Sequence, residues 1–449
     1  MHDLTTGPVT RHLLKTTGFM LVTMMFQTLY FLVDLYWVGR LGKEAVAAVS
    51  IAGNLAFIVL AVTQMLSVGA TTRVSHAAGR KDREGAIFSA NQSHGLGVAC
   101  GLLFLAVALA LRKTYASALA ADPQTAELAA AYLLWFIPAL ALQFPMVSMS
   151  AALRGTGNFK PGMIVQTSAV VLNMILAPLL IFGVGTGRPL GVAGAAIASL
   201  ISIIIGTIWL LTYFRPDAFL PIRSSQLKPR LTEWAGMLKV GLPAGAEFAL
   251  MSIYMIIVYS VSRPFGSAAQ AGFGIGLRIL QACFLPVVAL GIAVAPVAGQ
   301  NYGARLGARV RETFVSGAAM ACAMMLVATA LCFFGSTALI KVFSTDPEVI
   351  AVGSEYLRIL AWSFVASGVI FVSSSLFQGL GHTVPPLIAS FGRMCVITIG
   401  VLVMSQTAGF NLRWIWYLSA ITIWVHLAAN LLLLRRELRL KLPLQSAVL

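Results

Sequence analysis

Long apolar segments and short polar segments alternate from one end of this sequence to the other. Each apolar segment reaches the roughly 20 residues that an α-helix needs to cross a bilayer. Apolar residues run continuously within a segment and do not alternate with polar ones, which excludes a transmembrane β-barrel. The pattern therefore predicts twelve transmembrane helices, at residues 14–38, 46–74, 86–111, 125–153, 161–184, 191–214, 236–262, 269–298, 310–335, 347–377, 384–406 and 412–434.

The second half of the chain repeats the first at a constant offset. Tyr254 follows Tyr30 by 224 residues, and the same offset relates Gly266 to Gly42. Six helices in each half leave both halves in the same orientation in the membrane. The repeat therefore predicts an all-α membrane protein with two six-helix lobes, related by a pseudo-two-fold axis along the membrane normal. The same offset also joins Lys15 to Lys239, Gly79 to Gly303, Asp122 to Asp346, Tyr132 to Tyr356 and Gly157 to Gly381.

The predicted domains follow from this repeat. We expect an N-lobe at 1–214, a cytoplasmic linker at 215–234 and a C-lobe at 235–449. The linker interrupts the apolar pattern with charged residues and with Pro216 and Pro221, which are typical of an irregular connection.

Composition and charge agree with a multi-pass membrane protein. Charged residues make up 10% of the chain, against about 25% in soluble domains, and the mean hydropathy is +0.88. Segments on the side of the N-terminus carry more than twice as many Lys and Arg residues as segments on the other side. We interpret the net charge of +16 as the positive-inside bias of a membrane protein with both termini in the cytoplasm, and not as a nucleic-acid-binding surface; the expected location is the bacterial inner membrane.

Asp34 is the first candidate functional residue. It ends an uncharged stretch from Thr16 to Val33, and a charge at this depth costs from about 3 to more than 10 kcal/mol. Such a carboxylate is usually paired, hydrated or protonated. Tyr30 precedes it by one helical turn and therefore lies on the same face. The alternative is that Asp34 caps the outer end of the helix and contacts water.

The ionisable residues that fall inside spans are not repeated between the halves. Asp34 aligns with Val258, Glu247 with Thr23, Arg278 with Asn54, and Arg393 with Ala169. We infer that the lobes have different tasks, with a coupling ion in one lobe and a substrate or polar site in the other. The candidates for that second site are Glu247, Arg278 and Arg393. The alternative for two of them is a structural ion pair between Glu247 and Arg278.

Several short motifs, in their order and spacing along the whole chain, resemble the multidrug and toxic compound extrusion (MATE) transporters. The motifs are Val33-Asp34, Val38-Gly39-Arg40-Leu41-Gly42, Leu153-Arg154-Gly155-Thr156-Gly157, Leu172-Asn173, Pro178-Leu179-Leu180-Ile181-Phe182-Gly183, Val240-Gly241-Leu242-Pro243 and Gly299-Gln300-Asn301-Tyr302-Gly303-Ala304. The resemblance implies two six-helix lobes around a central cavity and expulsion of organic compounds against an inward flow of protons or sodium.

The resemblance also implies a cation or proton site in the N-lobe. Asp34, Tyr30 and Asn173 match the acid, tyrosine and asparagine of that site in prokaryotic members, and Ser199 corresponds to a hydroxyl in the sixth span. The family often has Asp four residues after the asparagine, whereas this chain has Ala177. The missing second carboxylate favours protons over sodium.

We therefore expect a secondary active efflux antiporter, not an enzyme, that exports drugs or toxic organic compounds in exchange for protons by alternating access of two lobes. No cofactor is expected besides the coupling ion, H+ or alternatively Na+. The expected partners are small organic molecules and the lipid bilayer, with no nucleic acid and a monomeric state. The alternatives are a lipid-linked precursor flippase of the same wider superfamily and a passive channel.

The topology gives a first testable prediction. In a background without native cysteines, Lys43→Cys and Lys228→Cys should react with a membrane-impermeant thiol reagent from opposite sides. Position 43 lies in a predicted outer loop and position 228 in the linker. Labelling of both from the same side would contradict the twelve-span topology.

Overall fold

A computed structural model describes residues 2–184, 187–407 and 409–442, and these residues contain helices but no strands. The helices are α1 (Val9–Gly39), α2 (Lys43–Gly79), α3 (Arg83–Leu119), α4 (Pro123–Gly155), α5 (Lys160–Phe182), α6 (Gly191–Leu211), α7 (Leu231–Ser262), α8 (Ser267–Gly303), α9 (Gly307–Lys341), α10 (Pro347–Ala361), α11 (Phe364–Gly379), α12 (Val384–Ser405) and α13 (Leu412–Lys441). Short 3₁₀ turns lie before and after α7.

Within the described part of the chain, ten helices are each long and apolar enough to cross a membrane. Helices α10 and α11 pass the same test only as a pair, and they are bent by 58° where they meet. The sequence predicts one span at 347–377, so this span is a broken helix. At the break, the Ser363 hydroxyl donates to the Leu360 carbonyl at 2.7 Å. Helix α7 covers the remaining predicted span at 236–262.

The repeated residues at helix starts have identifiable conformational roles. Asp122 caps α4, because its carboxylate accepts from the Thr125 amide at 2.8 Å and the Thr125 hydroxyl at 2.7 Å. These bonds hold the pKa of the Asp122 carboxyl below its usual range. Gly42 and Gly266 precede α2 and α8 with φ of 110° and 88°, a region that favours glycine. The repeat thus preserves helix boundaries.

The chain forms two compact units, of which unit 1 comprises Gly18–Gly245 and the residues before Leu4. Its core consists largely of small side chains, with alanines such as Ala48, Ala129 and Ala195 fully buried. Small residues allow helix backbones to approach closely in a membrane protein. At Gly101, for example, an added Cβ would lie 2.7 Å from the Ala141 carbonyl oxygen.

Unit 2 comprises Leu4–Thr17 and the chain from Ala246 onward. A buried aromatic group of α8, α10 and α13 lies in its core: Phe273 stacks on Trp416 at 5.3 Å between ring centroids, and Tyr356 meets Trp416 edge-on at 4.8 Å. These packed rings contribute apolar burial and favourable ring geometry.

The units divide the chain differently from the domains expected from the repeat. The predicted linker at 215–234 and the first half of α7 both belong to unit 1. Helix α7 packs closely on α2 there, since a Cβ at Gly241 would lie 2.1 Å from the Met65 carbonyl oxygen and one at Gly69 would lie 2.7 Å from the Met237 carbonyl oxygen. Glycine at both positions makes this approach feasible.

Two amides of α3 hold the linker in unit 1. Asn91 accepts from the Arg223 amide at 3.0 Å and donates to the Pro221 carbonyl at 3.0 Å. Gln92 accepts from the Arg230 amide at 2.9 Å and donates to the Lys228 carbonyl at 2.8 Å. Both amides are about 1% exposed, so they replace water as partners of the linker backbone. The linker is therefore an ordered segment fixed to a helix.

Unit 2 holds the N-terminal segment in a comparable way. Gln300 accepts from the Leu4 amide at 3.0 Å, and Asn301 donates to the Leu4 carbonyl at 3.2 Å. Arg309 adds a bond to the Gly7 carbonyl at 2.9 Å. Gln300 and Asn301 belong to the motif Gly299–Ala304, so part of this motif has a structural role.

Candidate functional site

In unit 1, Ser199 of α6 joins two of the predicted site residues. Asn173 of α5 donates to the Ser199 hydroxyl oxygen at 2.9 Å, and the Tyr30 hydroxyl of α1 lies 3.1 Å from the same oxygen. Ser199 also contacts the Ala195 carbonyl at 3.2 Å as a donor. Because that contact uses the single hydroxyl proton of Ser199, Tyr30 is the donor in its bond to Ser199. The geometry thus places three helices around one hydroxyl.

Asp34 lies one turn after Tyr30 on α1. It is 9% exposed, and its Oδ1 atom is buried without a hydrogen-bond partner among the described residues. Helix α1 continues beyond Asp34 to Gly39, so the alternative of a water-exposed cap at the helix end does not agree with the structure. The side chain is a buried carboxylate without a cation within ion-pair distance in the described chain.

Tyr132 of α4 is a buried polar residue that the sequence analysis did not select. It is 2% exposed and belongs to the same buried core as Ala177 of α5. The signal for it was present, because Tyr132 is one of the residues repeated in the second half. Its counterpart Tyr356 packs in the aromatic core of unit 2, so repetition alone does not identify a site residue.

The position of Ala177 is compatible with a single-carboxylate site. It lies one turn after Asn173 on α5, and the two residues are 1% and 3% exposed. A carboxylate at 177 would share this buried face of the helix with Asn173. In this chain the face offers an amide and a methyl group, which leaves Asp34 as the acid of the site.

Unit 2 contains the same tyrosine–serine hydrogen bond without the acid. The Tyr254 hydroxyl of α7 lies 2.9 Å from the Ser419 hydroxyl of α13. The residues aligned with Asp34 and Asn173 are Val258 and Ile397, both fully buried. Both units therefore contain a tyrosine–serine contact between helices, although the 224-residue offset aligns Ser199 with Ile423. The carboxylate of Asp34 and the amide of Asn173 have no counterpart at the aligned positions of unit 2.

Glu247 is not paired with Arg278 in this structure. Its Oε1 atom accepts from the Ser390 hydroxyl of α12 at 3.0 Å, while the Arg278 side chain of α8 is exposed. The alternative of a structural ion pair between these two residues is therefore wrong. Both residues were placed at similar depth from the sequence, but depth does not decide which way a side chain points from its helix.

Arg393 lies one turn after Ser390 on α12. Its guanidinium carbon is 5.8 Å from the centroid of the Tyr254 ring, which is a cation–π distance. The Nε atom is buried without a hydrogen-bond partner in the described chain. Unit 2 thus brings a cation together with the tyrosine that corresponds to Tyr30.

Helix α13 has a buried polar face. Its four residues recur at helical spacing and are all at most 7% exposed: Ser419, Thr422, His426 and Asn430. The Nε2 atom of His426 and both amide atoms of Asn430 have no hydrogen-bond partner among the residues described. Unit 2 therefore has polar groups available for a further contact.

Comparison with known proteins gives a consistent assignment of family and fold. The MatE family model matches residues 20–179 and 243–404. The chain is 28% identical over 412 residues to "Probable multidrug resistance protein YpnP" of Bacillus subtilis (strain 168), covering 91% of this chain and 90% of that protein. It is 25% identical over 397 residues to "Multidrug export protein MepA" of Staphylococcus haemolyticus (strain JCSC1435), covering 87% and 86%.

Solved structures match nearly the whole fold. One is a crystal structure of MATE in the bent conformation, with a TM-score of 0.91, 24% identity and coverage of 98% of this chain and 97% of that one. Another is the outward-facing conformation of a multidrug resistance MATE family transporter of the MOP superfamily, with a TM-score of 0.89, 24% identity and 98% coverage of both. The predicted all-α, multi-span fold class is confirmed.

The Tyr30–Ser199 contact gives a prediction for stability. Tyr30→Phe and Ser199→Ala should each lower the free energy of unfolding, and the double variant should lose less than the sum. The expected coupling is about 0.5–1.5 kcal/mol, the usual net contribution of a hydrogen bond. The measurement is denaturant unfolding of the four proteins in detergent.

The matched control is the corresponding pair in unit 2. Tyr254→Phe and Ser419→Ala should show coupling of similar size, because the same two groups are bonded. If the losses at Tyr30 and Ser199 add within about 0.3 kcal/mol, the hydrogen bond does not contribute to stability.

Proposed function

This chain belongs to the MatE family, and we propose that it is a secondary active antiporter that exports drugs or toxic organic compounds in exchange for protons. Its relatives bear the names of multidrug export and resistance proteins, which confirms the expectation of a transporter and not an enzyme. The observation that supports proton exchange is the buried, unpaired carboxylate of Asp34. We assign the coupling role to Asp34, Tyr30, Asn173 and Ser199.

The mechanism that we propose uses the cost of burying charge. A carboxylate without a cation is more costly to bury when it is ionised than when it is neutral. If Asp34 is buried in one access state and hydrated in the other, gain or loss of its proton changes the balance between them. The resulting change in the free-energy difference between the two access states equals the difference in their free energies of protonation. A tenfold change in the population ratio corresponds to about 1.4 kcal/mol.

Tyr30 and Asn173 would connect the proton exchange at Asp34 to helix packing through their hydrogen bonds to Ser199. Both side chains are oriented by the same hydroxyl, and Tyr30 shares a helix face with Asp34. A movement of α1 relative to α6 that changes the environment of Asp34 therefore also changes the Tyr30–Ser199 bond. This would link the protonation state of Asp34 to the packing of three helices. Alternating access of the two lobes is the larger motion that we propose to follow.

Protons are favoured over sodium by the composition of the site. Ala177 occupies the position at which the family often has a second carboxylate, so Asp34 alone would have to neutralise a bound cation. We propose H+ as the coupling ion and Na+ as the alternative. Two further alternatives differ from an antiporter in ways that can be tested. A precursor flippase would move a lipid-linked precursor, and a passive channel would not transport its substrate uphill.

For the orientation, we propose both termini in the cytoplasm of a bacterial inner membrane and a monomeric transporter. The support is the charge bias of the polar segments. The linker, whose backbone is held by Asn91 and Gln92, carries part of this bias through Arg223, Lys228 and Arg230.

For substrate contact, we propose the polar cluster of unit 2 around Glu247 and Arg393. Each is an ionisable group in an apolar helix bundle, and neither has an ion-pair partner among the described residues. Intramembrane charges of this kind usually face a cavity or a pathway. Arg278 is exposed and does not join this cluster, so we do not propose it as a substrate residue.

Asp34→Asn should abolish proton-driven efflux. The amide is nearly isosteric with the acid but does not exchange a proton near neutral pH. The measurement is dye transport in proteoliposomes with an imposed pH gradient, compared with an imposed sodium gradient. Wild type should respond to the pH gradient, and Asp34→Asn should lose this response while purifying in equal amount.

Glu247→Gln is the matched control, because it neutralises a carboxylate in the other unit. With a neutral dye, to which the proposed charge contact of Glu247 does not apply, this variant should keep its response to the pH gradient. If Asp34→Asn transports like wild type at pH 6–8, coupling does not depend on this carboxylate. If the sodium gradient drives wild-type transport instead, the proposed ion is incorrect.

The two charges of unit 2 predict opposite changes in selectivity. Arg393→Gln should raise KM for anionic dyes about tenfold or more, since a hydrogen bond to a charged group contributes about 1.5–3 kcal/mol. Glu247→Gln should do the same for cationic dyes. Arg278→Gln, on the exposed face of α8, should change neither. Equal effects of a variant on anionic, cationic and neutral dyes would instead indicate a structural role.

A further inference from the structure

A cavity of about 260 Å³ lies in unit 2, apart from the polar cluster around Arg393. It is formed by the first turns of α9 and the last turns of α13. Its lining combines three arginines with four apolar side chains, which are Arg311 and Phe314 of α9 and Leu431, Leu434, Arg435, Leu438 and Arg439 of α13. The proposed transport function uses none of these residues.

The three guanidinium groups of this cavity are available for a ligand. Arg311, Arg435 and Arg439 are exposed, and none makes a hydrogen bond or ion pair with another described residue. Arg435 and Arg439 are four residues apart and therefore lie on the same face of α13, with Arg311 opposite on α9. Three unpaired cations around a small space attract an anion.

The nearby acids do not neutralise this group. Glu437 of α13 is 7% exposed, and its Oε1 atom lies 2.8 Å from Lys441 Nζ and 2.8 Å from His382 Nδ1. It is thus already paired and does not line the cavity. Glu312 follows Arg311 on α9 but is also outside the lining.

The apolar part of the cavity indicates which kind of anion fits. Leu431, Leu434 and Leu438 form a row along α13 at helical spacing, in which Leu434 is buried in the core and Leu431 and Leu438 are partly exposed. Helices α9 and α13 are both candidate membrane spans, and the cavity lies near their ends. A soluble phosphate would leave the exposed parts of Leu431 and Leu438 without an apolar partner. A phospholipid supplies a phosphate together with apolar chains.

We propose that this cavity binds the headgroup of an anionic phospholipid, with its phosphate between Arg311, Arg435 and Arg439 and its acyl chains along the leucine row. The volume lies below the range of about 300–1,000 Å³ of sites that enclose whole small molecules, so it holds the headgroup and not the entire lipid. Basic pockets between transmembrane helices commonly recognise anionic headgroups in this way.

The test is native mass spectrometry of the delipidated, full-length protein titrated with phosphatidylglycerol. Wild type should bind one phosphatidylglycerol saturably and phosphatidylcholine much more weakly. Arg435→Gln and Arg439→Gln should each weaken phosphatidylglycerol binding about fivefold, and the double variant about 25-fold, because each basic residue contributes a comparable attraction. Arg311→Gln should have an effect similar to either single variant, from the opposite wall.

Arg436→Gln is the matched control. Arg436 is exposed, next to Arg435, and outside the cavity lining, so this variant should bind phosphatidylglycerol like wild type. Equal binding of phosphatidylcholine would overturn the proposal. So would equal weakening by Arg436→Gln, which would show a general effect of surface charge. Competition by inorganic phosphate at the same concentration as the lipid would identify a free phosphate site instead.

Discussion

The cost of placing an unsatisfied polar or charged group in an apolar medium governs this structure. Backbone groups meet that requirement through helices along nearly the whole described chain. Side chains meet this requirement through hydrogen bonds between segments. Asn173 donates to Ser199, and Gln92 bonds to the backbone of the linker. Against this background, an ionisable group without a partner is unusual. Asp34 is such a group, which is why it supports the proposed coupling role.

The two units share one type of polar contact and differ in their buried ionisable groups. A tyrosine–serine bond between the first and last helices of each repeat occurs as Tyr30–Ser199 and as Tyr254–Ser419. Around the first bond there is a buried carboxylate, and beside the second there is Arg393. The neutral contact stabilises helix packing in both units. The charges are costly to bury and differ between the units, as expected if the units have different tasks.

The polar groups that face the ends of the helices have another kind of role. The linker and the N-terminal segment are held through their backbone atoms, by Asn91 in unit 1 and by Gln300 in unit 2. Both amides are almost completely buried, so leaving them unpaired would cost about 1–3 kcal/mol. The unpaired arginines between α9 and α13 are exposed, and at such sites attraction for an outside anion outweighs any contribution to the fold.

The sequence by itself determined the helices, their approximate limits and the repeat, because apolar run length and helix caps such as Asp122 are local properties. It also selected Asp34, Tyr30, Asn173 and Ser199, through burial, helical spacing and family resemblance. The tertiary structure alone decided which way side chains point from neighbouring helices. Their similar depth in the membrane suggested a Glu247–Arg278 ion pair. In the structure, α7, α8 and α12 are oriented so that Glu247 accepts a hydrogen bond from Ser390 and Arg278 is exposed. The place of Tyr132 in the core that includes Ala177 was decided in the same way, because contact across helices depends on how their faces meet and not on spacing within one of them.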